Sequence, residues 1–448
     1  MTTGPRALRK DELHPSLADP VMDTMNFLNE ITFRYPEAIS FAPGRPYDGF
    51  FDTEHVFGHL RRYLDHLAGE GRSPAQVREA VFQYGPSAGR IREPLAAALR
   101  IDEGIDVPPE SIVVTIGCQE AMFLALRALM SGREDVVLAS SPCYVGITGA
   151  ARLLDVELVP VMEGEDGLRP SDLATAVERE RARGRRPKAV YVIPDHSNPS
   201  GVTMPLAARH DLLEVAARLD VLILEDSPYR LVGTGPRLPS LKALDRDRRV
   251  VHLGSFSKTL FPGARVGYVV ADQVVVDEAG RSGLLADELA KIKSMITVNT
   301  PSISQAVVAG ALLACDGRVS EYNRDAAAYY DDAMRFTVKC LEQRFPAGHR
   351  AEAGVRWNSP EGGFFIFLRV PFRADNAALE RSAQDFGVIW TPMSYFYPPG
   401  SRLEGEGDHA IRLSTSYLTH EEIEEGVTRL GEFIESTAGR PGRRQHER

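Results

Sequence analysis

The chain has 448 residues, which is too long for one ordinary hydrophobic core and favours two or three domains. Its composition, 43% hydrophobic and 25% charged, is that of a folded protein rather than a disordered one. The formal net charge of −10 argues against a nucleic-acid partner, because an acidic protein gains nothing from releasing the counterions of a polyanion.

The cysteines and the N-terminal segment give information on the cellular compartment of the protein. No two cysteines form a C-x-x-C pair and no histidines stand at zinc-ligand spacing, so we expect neither a disulfide framework nor a bound metal. The first 20 residues lack the apolar run of a secretory signal, and no window reaches the roughly 18 apolar residues of a spanning helix. These features predict a cytoplasmic protein without a membrane partner.

The first 49 residues are predicted to form an arm, with helical periodicity over 17–29 and a short strand at 39–41. From 50 to 320, short runs rich in Val and Ile alternate with helical stretches, which predicts a large domain whose mostly parallel sheet is buried on both faces. The predicted strands are 112–116, 136–139, 189–193, 221–225, 250–253 and 266–270. The predicted helices include 121–130, 206–219 and 284–295.

The last part of the chain, 321–448, has a different pattern. A long helical pattern over 302–345 leads into it. Antiparallel strands are predicted at 355–357 and 363–370, and helices at 374–386 and 420–435. This predicts a smaller α+β domain.

The segment 255–268, with the sequence SFSKTLFPGARVGY, carries the strongest functional signal. A lysine that forms a Schiff base must lie near a phosphate with its amine partly desolvated, so that it can lose a proton. Ser255 and Ser257 supply hydroxyl donors, and Arg265 supplies the bidentate geometry that phosphate favours. Lys258 is therefore predicted to hold a phosphate-bearing cofactor.

The turn Gly117-Cys118-Gln119 stands between the strand at 112–116 and the helix at 121–130. The N-terminus of a helix presents free N–H groups and the positive end of its dipole, which suits the same phosphate. Such a strand–turn–helix is common in α/β proteins, so its meaning depends on the other motifs.

Polar residues also follow two further predicted strands. Asn198 comes after the strand ending at 193, and Asp226 and Tyr229 come after the strand ending at 225, at the edge where open α/β sheets bind ligands. A carboxylate there keeps a pyridine nitrogen protonated, and an amide and a hydroxyl suit the ring's phenolic oxygen. The segment 198–201 also suits an ordinary turn, and Asp226 also suits a helix cap.

The order of these motifs along the chain resembles that of the class I/II aminotransferases of fold type I, which use pyridoxal 5′-phosphate (PLP). The resemblance spans about residues 40–436. It implies an α/β fold with a large domain around a mostly parallel seven-stranded sheet, and a small α+β domain completed by part of the N-terminal arm. It also implies a homodimer whose active sites are shared between the subunits.

The resemblance also implies roles for individual residues. The expected catalytic residues are Lys258, Asp226 and Tyr229. Lys258 would be the Schiff-base lysine and proton shuttle, and Asp226 the partner of the ring nitrogen. Tyr229, together with Asn198, would be a partner of the ring oxygen. Tyr84 is expected to reach the phosphate in the partner subunit. The residues expected around the phosphate are Gly117, Cys118, Gln119, Ser255, Ser257 and Arg265. Tyr144 is expected to stack on the ring. The residues expected to contact substrate are Arg412, which would grip the α-carboxylate, Gly44, Arg45, Asn198 and Tyr144.

Three segments bear on the substrate. Arg45 and Tyr47 stand in a loop that borders the pocket in this family, and 390–397 is aromatic, although Met393 departs from the Pro-Gly-Ser of many relatives. The stretch from 16–20 through 50–52 resembles the hydroxyphenylglycine and dihydroxyphenylglycine transaminases of peptide-antibiotic biosynthesis. That implies ping-pong transfer of an amino group between an aromatic or arylglycine L-amino acid and a 2-oxo acid. The aromatic residues also suit packing at the domain interface.

Three functions compete with an arylglycine transaminase, and two of them remain open. The chain fits a transaminase for aliphatic or basic nonproteinogenic amino acids. It also fits a PLP-dependent oxidase, lyase or decarboxylase, because the same phosphate site serves all of these reactions. A regulator that senses an amino acid is disfavoured, since about 40 acidic-to-neutral leading residues do not supply a DNA-binding domain.

Overall fold

A computed structural model describes residues 7–398, 400–401 and 403–438. The α-helices are α1 (Pro20–Arg34), α2 (Thr53–Gly69), α3 (Pro74–Phe82), α4 (Arg92–Ala98), α5 (Gly117–Leu129), α6 (Val145–Leu153), α7 (Pro170–Ala182), α8 (Leu206–Arg218), α9 (Leu241–Leu244), α10 (Leu285–Ile296), α11 (Ser302–Ala314), α12 (Val319–Tyr322), α13 (Arg324–Arg344), α14 (Ala347–Ala353), α15 (Asn376–Phe386) and α16 (His420–Ala438). The strands are β1 (Ile39–Ser40), β2 (Ile112–Thr115), β3 (Asp135–Ser141), β4 (Glu157–Gly164), β5 (Gly167–Leu168), β6 (Arg186–Val192), β7 (Leu222–Asp226), β8 (Val250–Ser255), β9 (Gly267–Val270), β10 (Val274–Val276), β11 (Ser282–Leu284), β12 (Arg356–Trp357), β13 (Phe365–Arg369), β14 (Val388–Ile389), β15 (Thr391–Pro392) and β16 (Ala410–Ser414).

The main sheet has the strand order β2-β9-β8-β7-β6-β3-β4-β5. The strands from β8 to β4 run parallel, and β9 runs antiparallel to both of its neighbours. Successive residues of β3 face opposite sides: Val136 and Leu138 pack with α7 and α8, whereas Val137 and Ala139 pack with α5 and α6. Helices therefore cover both faces, which confirms the predicted buried, mostly parallel sheet.

The strand count differs from the seven expected. β5 adds an eighth strand of only two residues, paired antiparallel to the end of β4. β4 itself was not among the strand runs identified from the sequence. It reads ELVPVMEG, in which Pro160 separates the two valines and Glu157 and Glu163 lie near the ends, so it lacks the run of Val and Ile that marks the other strands.

The small domain is built on the sheet β12-β13-β16-β15, which is antiparallel throughout. The arm joins it: β1 pairs in parallel with β14, Ile39 facing Val388. Ile31 and Phe41 of the arm are buried in the same core as Trp390. Within the described residues, no helix is both long and apolar enough to cross a membrane.

The expected continuous helix over 302–345 is wrong. α11 ends at Ala314, and Asp316 and Gly317 have φ angles of 48° and 77°. A left-handed backbone cannot continue a right-handed helix, so the chain turns and α13 begins only at Arg324. The boundary proposed near residue 320 lies in the short helix between them.

The parallel strands bring the predicted site residues to one edge of the sheet. β6 ends six residues before Asn198, β7 ends at Asp226, and β8 ends at Ser255. Carboxyl ends of adjacent parallel strands lie side by side, which is where open α/β sheets bind ligands.

Candidate active site

A cavity of about 290 Å³ opens at this edge, between the main sheet, the small domain and α1 of the arm. All but two of the residues predicted for the site line it: Gly44, Arg45, Cys118, Gln119, Tyr144, Asn198, Asp226, Tyr229, Ser255, Ser257, Lys258, Arg265 and Arg412. Segments more than 350 residues apart in sequence therefore converge on one space.

The anion-binding end of the cavity lies at the start of α5. Gly117 is the first residue of this helix and has a φ of 70°, and a methyl group there would lie 2.5 Å from Arg265 Nη2. Only a glycine lets the guanidinium pass so close to the helix N-terminus. Arg265 Nη1 donates to Ser257 Oγ at 3.3 Å, and Ser257 N donates to Ser255 Oγ at 3.1 Å. A cation, two hydroxyls and free N–H groups thus share one corner.

Lys258 is part of the cavity lining. Its Nζ donates to Gly44 O at 2.7 Å. Burial, assisted by the positive charges of Arg412 and Arg265, lowers the pKa of Lys258 to about 8, and the Asp226 carboxylate opposes this shift. The neutral amine needed for nucleophilic and base chemistry is therefore much more accessible than in a solvated lysine.

Asp226 is 1% exposed and accepts one hydrogen bond on each oxygen. Tyr191 OH donates to Oδ2 at 2.5 Å, and Cys118 Sγ donates to Oδ1 at 3.1 Å. Burial raises the pKa of Asp226 to about 6, although both hydrogen bonds lower it. Sequence reasoning missed Tyr191, which lies within β6 and carries no motif.

Asn198 connects two other predicted site residues. Its Nδ2 donates to Tyr229 OH at 3.1 Å, and its Oδ1 accepts from Arg412 Nη1 at 2.7 Å. Burial raises the pKa of Tyr229, so its hydroxyl stays protonated. Asn198 and Tyr229 therefore offer adjacent donors to one acceptor.

Arg412 projects from β16 of the small domain and is 5% exposed. Its Nη2 donates to Ala42 O at 2.6 Å and to Thr391 Oγ1 at 3.3 Å, while Nε has no hydrogen-bond partner among the described residues. Its guanidinium lies 4.4 Å from the centroid of the Phe365 ring. Burial lowers the pKa of Arg412 to about 10, which still leaves it charged at neutral pH.

The loop after β1 closes one side of the cavity. A methyl group on Gly44 would lie 2.6 Å from the Phe365 ring, so the close approach of this loop needs a glycine. Arg45 lines the cavity with its guanidinium 4.7 Å from the Tyr417 ring centroid. Tyr47 stacks on another aromatic ring, Tyr329, at 4.6 Å.

Tyr144, just before α6, also lines the cavity. Burial raises the pKa of Tyr144 to about 12, so its ring is neutral. Gln119 Nε2 donates to Gly146 O at 2.9 Å and ties the start of α5 to the start of α6. Tyr144 thus precedes a helix whose start is joined to the start of α5.

Tyr84 does not line the cavity, and its side chain is 81% exposed. Its backbone carbonyl accepts from Arg90 Nη2 at 3.0 Å. Within one subunit this tyrosine therefore has no part in the site that the other residues form.

The aromatic segment 390–397 divides between two environments. Trp390 is fully buried in the small-domain core, and its Nε1 donates to Ser382 Oγ at 3.0 Å. Met393 is also fully buried, whereas Phe396 is the residue of this segment that lines the cavity. The aromatic segment 390–397 therefore contributes a single ring to the cavity.

The arm supplies two cavity residues that sequence reasoning missed. Thr24 and Leu28 of α1 line the cavity one helical turn apart. The helical periodicity over 17–29 indicated the helix, but not the surface that it would cover.

PLP fits this set of groups. The corner at Gly117 and Arg265 suits a dianionic phosphate, and Asp226 offers a buried carboxylate to a ring nitrogen. Asn198 and Tyr229 offer donors to a phenolic oxygen, and Lys258 has the low pKa that covalent attachment requires.

Comparisons with known proteins agree with this geometry. The model of the family described as aminotransferase class I and II matches residues 64–430. The chain is 48% identical over 428 residues to the (S)-3,5-dihydroxyphenylglycine transaminase of Amycolatopsis orientalis, with 95% of this chain and 94% of that protein covered.

Two solved structures show the same fold. An archaeal alanine:glyoxylate aminotransferase has a TM-score of 0.78 and 28% identity, covering 95% of this chain and 98% of that one. The α-aminoadipate aminotransferase of Thermus thermophilus, complexed with N-(5′-phosphopyridoxyl)-L-leucine, has a TM-score of 0.75 and 28% identity, covering 95% and 98%. The expected fold type, the PLP cofactor and the transaminase activity are thereby confirmed. The chain belongs to the class I and II aminotransferases, a family of PLP-dependent enzymes.

Proposed function

We propose that this transaminase acts on an aromatic L-amino acid of the arylglycine type and on a 2-oxo acid, which use the same site in turn. The observation that carries the proposal is the convergence of Lys258, Arg412 and Asp226 on one cavity. The lining of this cavity includes Leu28 and Phe396, which suit a short aromatic side chain. The relative that is 48% identical acts on (S)-3,5-dihydroxyphenylglycine, which supports this substrate class.

Lys258 is the proposed base that takes the proton from the substrate's Cα. With its pKa lowered to about 8, roughly a tenth of the amine is neutral at pH 7, against less than a thousandth for a solvated lysine. One positioned amine can both accept and return a proton, as the two half-reactions require.

Asp226 is proposed to face the ring nitrogen of PLP and to hold a proton there. When bound, PLP supplies an electron sink for the charge that is left on Cα after its proton is removed. An ionised carboxylate is needed for this role, and the two hydrogen bonds that Asp226 accepts favour that form.

Arg412 is the proposed partner of the substrate's α-carboxylate. Bonds to Asn198, Ala42 and Thr391 use part of its five N–H donors and fix its plane, which leaves donors for a carboxylate. Phe365 packs against the guanidinium and excludes water from one face. Arg45, whose side chain is half-exposed, is proposed to contact the distal part of the substrate.

A homodimer with shared sites is also part of the proposal. Tyr84 belongs to a patch of exposed apolar side chains, called the apolar patch here: Phe82, Tyr84, Met295, Ile296, Val298 and Ile303. Phe82 is 76% exposed and Met295 is 85% exposed. Ser302 Oγ donates to Gln83 O at 3.3 Å, which places the two halves of the patch side by side. Large side chains grouped in this way favour a protein interface, and a second subunit would bring Tyr84 to its phosphate.

The test is a single-turnover measurement of the first half-reaction, followed by the absorbance of the bound cofactor under nitrogen and in air. Arylglycines are expected to react faster than phenylalanine, alanine or arginine. A faster reaction with aliphatic or basic donors would refute the arylglycine assignment, and oxygen uptake coupled to turnover would indicate an oxidase.

A pair of variants on one helix tests the cavity wall. Leu28→Ala should raise KM for an arylglycine because it removes apolar contact area, by roughly tenfold for a loss of about 1.5 kcal/mol. Phe33→Ala is the matched control, since Phe33 lies on the same helix and is 84% exposed. Equal effects of the two variants would show that α1 contributes only stability.

A further inference from the structure

Tyr191 and Asp226 lie on neighbouring parallel strands. Tyr191 is paired in register with Leu224, two residues before Asp226, so both side chains point to the same face of the sheet. Tyr191 is 1% exposed and is not among the residues that line the cavity. The one polar contact of its hydroxyl in the described structure is Asp226 Oδ2, at 2.5 Å.

Cys118 holds the other oxygen of the same carboxylate from a different direction. Its thiol donates to Asp226 Oδ1 at 3.1 Å from the first turn of α5. Burial raises the pKa of Cys118 and of Tyr191, so both groups remain protonated donors throughout the neutral range. A carboxylate oxygen has two lone pairs, so each oxygen keeps one acceptor position for a further donor.

These donors oppose the effect of burial. Removing water raises the pKa of Asp226 to about 6, even though Tyr191 and Cys118 both lower it. Without them the pKa of the buried carboxyl would rise further, which favours its neutral form, and a neutral acid cannot hold a proton on a ring nitrogen. The other titratable groups around it are Tyr144, Tyr229 and Lys258 on the cavity side and His252 and Glu225 on the strand side.

We propose that Tyr191 and Cys118 are positioning residues that keep Asp226 ionised and fix its orientation. This inference rests on the proposed role of Asp226 at the ring nitrogen. Tyr191 is the stronger of the two, because a hydroxyl is a better donor than a thiol and its bond is shorter. The two donors lie on separate elements, β6 and α5, so the carboxylate is held from two sides.

The test measures the ionisation of Asp226 directly. Infrared difference spectra of the full-length protein without cofactor are recorded between about pH 4.5 and 9, and the band that is missing in Asp226→Asn is assigned to Asp226. The midpoint is expected near 6. Tyr191→Phe should raise it by roughly one to two pH units, the equivalent of one hydrogen bond to a charged group.

Three further variants sharpen the measurement. Cys118→Ala should raise the midpoint by less than Tyr191→Phe does, and Cys118→Ser should lower it, since a hydroxyl replaces a thiol. Tyr268→Phe is the matched control: Tyr268 is also a buried tyrosine of the main sheet, but its hydroxyl contacts Glu103 at 3.4 Å. It should leave the midpoint unchanged.

With cofactor bound, the acidic limb of the pH profile of kcat/KM should move to higher pH in Tyr191→Phe, less far to higher pH in Cys118→Ala, and to lower pH in Cys118→Ser. Unchanged midpoints in Tyr191→Phe and in both Cys118 variants would overturn the inference. A failure of the proposed function is a separate result, because loss of transaminase activity with every donor would leave the infrared titration of the cofactor-free protein intact.

Discussion

Arg412→Ala is expected to lower kcat/KM for α-amino acids by two to three orders of magnitude. Arg412 is 5% exposed and is held by three hydrogen bonds, so it is oriented before substrate arrives. A hydrogen bond between charged groups contributes about 1.5–3 kcal/mol, and a carboxylate takes two from one guanidinium. A loss of about 3–4 kcal/mol corresponds to that range, at about 1.4 kcal/mol for each factor of ten.

The assay compares two donors in single-turnover experiments. One donor is an arylglycine and the other is the corresponding amine, which lacks the α-carboxylate. If Arg412 binds the carboxylate, the variant loses activity with the amino acid and little with the amine. Arg412→Lys keeps a charge but cannot reach Asn198, Ala42 and a carboxylate together, so an intermediate loss is expected.

Equal losses with both donors would refute this reasoning. Truncation leaves Asn198 Oδ1 without its donor, and a displaced Asn198 would disturb the site whichever donor is used. An equal loss would therefore assign Arg412 a structural role, and another residue would have to grip the carboxylate.

Three further predictions concern Lys258 and Tyr84. Lys258→Ala should abolish turnover and the yellow absorbance of lysine-bound cofactor, and normal activity would contradict the assignment. In the cofactor-free folded protein, the pKa of Lys258 is lowered from 10.5 to about 8. Between about pH 8 and 10.5 the unfolded chain therefore binds more protons than the folded protein. The free energy of unfolding should rise with pH across that window. Lys258→Met should remove this dependence and stabilise the cofactor-free protein at pH 7 by up to about 3 kcal/mol, measured by urea unfolding at a series of pH values. Mixing Lys258→Ala with Tyr84→Ala subunits should restore activity, because each mixed dimer would contain one intact shared site, and no gain on mixing would contradict that sharing.

Much of the site could be predicted because its motifs are dense and lie at strand ends. The segment 255–268 combines a lysine, two serines and an arginine within fourteen residues, and the structure brings all four to one cavity. Asp226 and Asn198 were predictable for a different reason: runs of Val and Ile marked the strands before them, and parallel strands end at one edge.

The missed residues depend on contacts that no local pattern encodes. Tyr191 lies in the middle of β6 and is functional only because Asp226 lies diagonally opposite on the next strand. Trp390 is the converse case: it belongs to an aromatic run that borders the cavity, but its ring is buried in the small-domain core. The sequence of such a run does not indicate which of its rings face the core. Pairing between strands and the rotation of side chains about them are tertiary properties, and a single sequence leaves them open.

The positive charges of the cavity have two effects, binding of anions and lowering of the pKa of Lys258, and the first weakens the second. Arg412 and Arg265 suit a carboxylate and a phosphate, and the same two charges help to lower the pKa of Lys258. When anions bind, they offset the arginines, so this part of the effect on the lysine becomes weaker during turnover. Burial is the largest cause of the low pKa and does not depend on those charges. Burial of Lys258, rather than the charge of the arginines, must therefore keep this lysine available as a base while both anionic groups are bound.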